Sequence, residues 1–63
     1  MKGTVKFFNK VKNFGFIESE ESDEDFFVHA SDVESGSLDD GDEVEFKPEE
    51  GDKGPKAANV KKV

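Results

Sequence analysis

The chain has no cysteine, a single histidine and no long apolar run. Without cysteine there can be no disulfide and no thiolate metal site, which suits a reducing, intracellular setting. No segment approaches the roughly 20 apolar residues of a membrane span. The start, Met1-Lys2-Gly3-Thr4, lacks the apolar core of a signal peptide. The expectation is a complete, soluble, cytoplasmic chain with no membrane partner. With His29 alone and no thiol, no Ser-His-Asp set can be singled out in a domain with no room for a deep pocket, so neither catalysis nor a small-molecule substrate is expected. Asp25 and His29 could be drawn as acid and base, but four residues along a strand separate them by roughly 13 Å. Asp39-Asp40-Gly41-Asp42 lacks the alternating ligands and the later Glu of a calcium loop. No glycine-rich phosphate loop is present. No metal and no cofactor are expected.

What the chain does hold is charge and phenylalanine. Its 63 residues allow one domain near the lower limit of independent folding, because a chain this short buries only about 60% of its unfolded surface. Hydrophobic residues at 32% and charged residues at 40% lean toward disorder, but the apolar residues are concentrated and patterned as a folded domain requires. Nine lysines against sixteen acids leave a net charge of −7, and the charge is segregated. Residues 1–17 carry +4, residues 18–25 carry −6, residues 32–50 carry −8 and residues 51–63 carry +3. The acidic blocks read as solvated faces or loops. Six of the seven phenylalanines lie between residues 7 and 27, so the basic N-terminal stretch and the aromatic cluster overlap.

Periodicity predicts five strands. Thr4 to Phe8 is β-branched and aromatic. Phe14 to Ser19 alternates, with Phe14, Phe16 and Glu18 on one face and Gly15, Ile17 and Ser19 on the other. Residues 20–24 are short enough for a hairpin connection to a strand from Asp25 to Ala30, in which Asp25, Phe27 and His29 face one way. Ser31-Asp32-Val33-Glu34 fits a capping box, cut short by Ser35-Gly36-Ser37, and predicts one helical turn in a long connection. Asp42 to Lys47 alternates around Val44 and Phe46. Pro48 to Pro55, with both prolines and two glycines, reads as a mobile loop, and Lys56 to Val63 as the last strand. Five short strands with no substantial helix predict an all-β, closed or partly open barrel, which removes exposed edges.

The predicted core is Val5, Ile17, Phe26, Val28, Val33, Leu38, Val44, Phe46, Ala58 and Val60. Phe14, Phe16 and Phe27 then point outward. Inverting the parity would bury Glu18 and His29 and expose Ile17 and Val28. Several aromatics on one wet face, edged by lysines, suit single-stranded nucleic acid: every base offers a π-face, and lysines track phosphates.

Lys6-Phe7-Phe8-Asn9, Lys12-Asn13-Phe14-Gly15-Phe16-Ile17, Phe26-Phe27-Val28-His29-Ala30-Ser31 and Gly54-Pro55-Lys56-Ala57-Ala58-Asn59-Val60 resemble, in order and spacing, the cold-shock protein family. The second and third segments look like that family's two ribonucleoprotein motifs. The resemblance implies one cold-shock domain over residues 1–63, folded as a five-stranded antiparallel OB-type barrel that binds single-stranded RNA and DNA with little sequence preference. By position it implies stacking by Phe7, Phe8, Phe14, Phe16, Phe27 and His29, with Lys6 and Lys12 near the backbone. Alternation independently yields Phe14, Phe16, Phe27 and His29, but it cannot put both Phe7 and Phe8 on one face without a bulge or a strand end, so Phe7 rests on the resemblance. Phe7 stands where the family usually has Trp, Asn13 where Gly is usual, and Ala30 where a further aromatic is common. Asn tolerates positive φ, so the turn at Asn13 can survive. The acid excess is expected of a halophile's protein.

The expected role is that of a monomeric RNA chaperone melting secondary structure. The rival is an acidic protein-binding module that mimics nucleic acid. Net charge favours the rival, whereas lysines set beside aromatics favour a nucleic-acid ligand.

Overall fold

A computed structural model describes residues 1–21, 24–52 and 54–63. Its strands are β1 (Lys2–Asn9), β2 (Phe14–Ser19), β3 (Asp25–His29), β4 (Glu43–Gly51) and β5 (Gly54–Lys62), closed into a barrel in the order β1-β2-β3-β5-β4. The pairings are antiparallel except β3 with β5, which meet in parallel at Phe27 and Lys56.

All ten predicted core residues are buried, and Phe8 and Ala57 join them. Ile17 and Val28 are fully buried, as the alternation of β2 and β3 requires. The Phe26 and Phe46 rings pack 5.0 Å apart across the interior.

A bulge in β1 decides which rings face outward. Val5 pairs with Ile17, but Phe7 pairs with Phe16, so Lys6 is the extra residue. Lys6 and Phe7 both point to solvent, and the alternation resumes with Phe8 inside. The backbone beside the bulge is satisfied by the loop ahead of β4. Val5 N–H donates to the Asp42 carbonyl (2.9 Å), Gly41 N–H donates to the Val5 carbonyl (2.8 Å), and Phe8 N–H donates to Asp40 Oδ1 (3.0 Å). A hydrogen bond to a carboxylate contributes roughly 1.5–3 kcal/mol when partly buried. Asp40→Ala is therefore expected to lower the melting temperature by about 6–20 °C in a domain this small, with Asp40→Asn retaining part of the loss; thermal denaturation followed by circular dichroism reads it.

Two expectations are corrected. Pro48 to Gly51 and Gly54 to Pro55 are not loop but strand: β4 runs through Pro48 to Gly51 and pairs with β5 down to Gly51 opposite Gly54, and residue 53 of the expected loop lies outside the described residues. Pro48 is tolerated because β1 pairs with β4 only at residues 43–45, leaving the Pro48 side of the strand without a neighbour that needs its N–H. The helical turn exists as a 3₁₀ turn over Ala30–Asp32, but its cap is His29 rather than Ser31. Nδ1 of His29 accepts the Ser31 N–H at 3.1 Å, ending β3 one residue earlier than predicted.

Asn13 has φ 61°, the conformation expected of a residue standing in for glycine, and its carbonyl accepts the Ala30 N–H at 2.8 Å. The turn that joins β1 to β2 is thereby tied to the end of β3.

Candidate nucleic-acid interface

Strand register builds the site. Phe7, Phe16, Phe27 and Lys56 form one row across β1, β2, β3 and β5, and Asn9, Phe14 and His29 form the adjacent row across β1, β2 and β3. On the outer face these rows place four rings in unbroken contact. Phe7 lies 5.6 Å from Phe16 and 6.3 Å from Phe14, while Phe27 lies 5.8 Å from both Phe14 and Phe16. The Phe14–Phe27 pair is stacked at 21°, and the Phe16–Phe27 pair is edge-to-face at 75°. Phe7 and Phe27 are exposed at 42% and 38%, and Phe14 and Phe16 are half-buried by their neighbours. A monomer's core would cover such rings; here they form a solvent-facing aromatic surface.

Phe8 does not belong to it. At 8% exposure it is a core residue, so the expectation that it offers a stacking face is corrected. The bulge separates Phe7 from Phe8 instead of joining them on one face.

His29 is exposed beside Phe14, and its Nδ1 contacts the Ser31 hydroxyl (3.0 Å) as well as the Ser31 N–H. Those contacts hold the imidazole at the end of the aromatic rows. Lys12 is exposed in the turn before Phe14, where Asn9 Oδ1 accepts the N–H groups of Val11 and Lys12 at 3.0 Å each. Lys6 stands beside Phe7, with its Nζ 3.2 Å from Asp25 Oδ2. Lys10 is drawn away to Asp39 at 2.6 Å. Their hydrogen bond and attraction raise the Lys10 pKa and lower that of Asp39.

Sequence reasoning did not place Lys56 in the site. It lies opposite Phe27, its Nζ 4.0 Å from Glu49. With Phe16, Phe27, Asp25, Glu50 and Pro55 it lines an open groove of about 660 Å³ between the rings and the β4–β5 hairpin. Lys56 read only as the first residue of the last strand, and nothing local in the sequence ties that strand to β3.

Among the described residues, no three histidine or acidic side chains converge as metal ligands. Flat rings, lysines and an open groove offer stacking area and charge.

The family profile of the 'Cold-shock' DNA-binding domain matches residues 1–63. A cold shock-like protein, CspB, of Bacillus cereus is 53% identical over 66 residues, covering all of both chains. Cold shock protein CspA of Staphylococcus haemolyticus is 52% identical over 65 residues, covering 98% of this chain and 97% of the relative. Among solved structures, Drosophila Unr CSD456 superposes with a TM-score of 0.80 at 28% identity, covering 98% of this chain and 26% of that one. With its five-stranded barrel and a family match from end to end, this chain belongs to the cold-shock domain family.

Proposed function

We propose that this domain binds single-stranded RNA and DNA with little sequence preference and, by holding unpaired strands, acts as an ATP-independent RNA chaperone. The observation that carries the reading is the unbroken four-ring surface of Phe7, Phe14, Phe16 and Phe27 on the outside of the barrel. Bases stack on such rings whatever their identity. His29 extends the surface at one end, and Lys6, Lys12 and Lys56 stand where phosphates would run. The domain works as a cytoplasmic monomer without a cofactor, and its acidic remainder suits concentrated salt.

Stacking requires unpaired bases. The domain is expected to bind a fluorescein-labelled oligothymidylate or oligouridylate well and a duplex poorly, and by mass action to lower the melting temperature of an RNA hairpin. Fluorescence anisotropy and hairpin melting test this. Equal affinity for a hairpin stem and for its unpaired sequence would sink the mechanism.

A further inference from the structure

The lysines at the two ends of the ring row are already engaged. Lys6, beside Phe7, faces Asp25 at 3.2 Å, and Lys56, opposite Phe27, faces Glu49 at 4.0 Å. The two carboxylates come from different places in the barrel. Asp25 opens β3 and pairs with Glu18, while Glu49 pairs directly with Lys56 across the β4–β5 ladder. The backbone thus keeps Glu49 beside Lys56 even when the contact loosens, while Asp25 reaches Lys6 by its side chain from β3, across β2. Both pairs are solvent-exposed, so they add little to stability. Lys12, in contrast, makes no ion pair among the described residues.

Building on the nucleic-acid reading, we propose that Asp25 and Glu49 are internal competitors of the ligand's phosphates. Binding exchanges carboxylate for phosphate on Lys6 and Lys56, and this makes the contribution of those two lysines nearly independent of salt. A lysine that neutralises a phosphate normally releases a condensed cation from the strand, with a slope of about −0.7 per phosphate for single strands. When the lysine must first leave a carboxylate, the freed carboxylate gathers a cation from solution, and net release falls toward zero. Of the three lysines, only Lys12 then contributes a full slope. Affinity is expected to fall about fivefold between 0.1 M and 1 M salt, instead of the roughly hundredfold loss expected of three free lysines. The acids lower affinity at low salt and leave it unchanged at 1 M.

The test is anisotropy with a short fluorescein-labelled oligothymidylate, titrated from 0.1 M to 1 M KCl. The Asp25→Asn, Glu49→Gln double variant should bind about twentyfold more tightly than wild type at 0.1 M, fall about a hundredfold by 1 M, and converge with wild type there. Glu49→Gln alone, on an exposed stretch of β4, should show part of this steepening if the double variant folds poorly. Lys12→Gln in the wild-type background should leave almost no slope. Unchanged affinity and slope in folded acid variants would overturn the proposal while leaving the binding reading intact. Weaker binding by Asp25→Asn with no effect of Glu49→Gln would also overturn it, showing that Asp25 contacts a base. Failure of wild type to bind any single strand would remove the nucleic-acid reading itself, and this inference with it.

Discussion

Gly15→Ala is expected to destabilise the domain by about 3 kcal/mol or more, the upper end of what overpacking costs. Gly15 is buried in β2, between Phe8 of β1 and Val28 of β3. A Cβ there would strike the Phe7 carbonyl oxygen and come within 2.8 Å of Phe8 Cα, so it meets main chain that cannot rotate aside. Relief requires β1 to move off β2 just past the bulge, where Phe7 is turned outward and Phe8 inward. A domain of this size has a total stability of roughly 3–9 kcal/mol, so much of it would be lost. The melting temperature should fall by at least about 12 °C, while Val11→Ala, at a side chain 90% exposed, should leave it unchanged. A Gly15→Ala variant that melts within a few degrees of wild type would show that β1 yields at little cost.

Phe16→Ala and Phe27→Ala are each expected to weaken oligonucleotide binding by about 1–3 kcal/mol, the usual contribution of one stacked base, or roughly five- to 150-fold in Kd. Stability should fall far less. The rings lose neighbours at 5.6–5.8 Å rather than a place in the core, and ring contacts contribute about 0.5–1.5 kcal/mol. Val28→Ala should do the reverse: Val28 is fully buried, and the change should cost roughly 2 kcal/mol or more of stability. Because Phe16 and Phe27 touch, the double variant should lose less affinity than the sum of the singles, or more if the surviving rings re-pack. Neither Trp nor Tyr is present, so anisotropy of a labelled oligonucleotide at fixed salt is the suitable readout. Unfolding by either Phe variant but not by Val28→Ala would invert the assignment of faces.

The outward rings of β2 and β3 were legible because a strand has a period of two, and only one parity buries Ile17, Phe26 and Val28 together. The turn at Asn13 was legible through the family resemblance, which puts Asn where Gly is usual, and Asn accepts positive φ. Val44 and Phe46 followed from the same alternation.

Val5-Lys6-Phe7-Phe8 was different. Apolar residues at 5, 7 and 8 fit two phases, and local pattern cannot choose between them. The choice rests on pairing with β2 and on the loop at Asp40–Asp42, which satisfies the backbone beside the bulge from more than thirty residues away. The extension of β4 through Pro48 was hidden for a similar reason: proline is excluded from a ladder only where a neighbour needs its N–H, and neighbours are a property of the barrel. Lys56 reaches the ring row through a single parallel contact between β3 and β5. The sequence alone thus determined the barrel class, the core and most of the ring surface, because these follow from local periodicity. Tertiary structure decided that Phe8 turns inward, that Lys56 borders the rings and that Asp25 meets Lys6, because each depends on segments meeting that are distant in the chain.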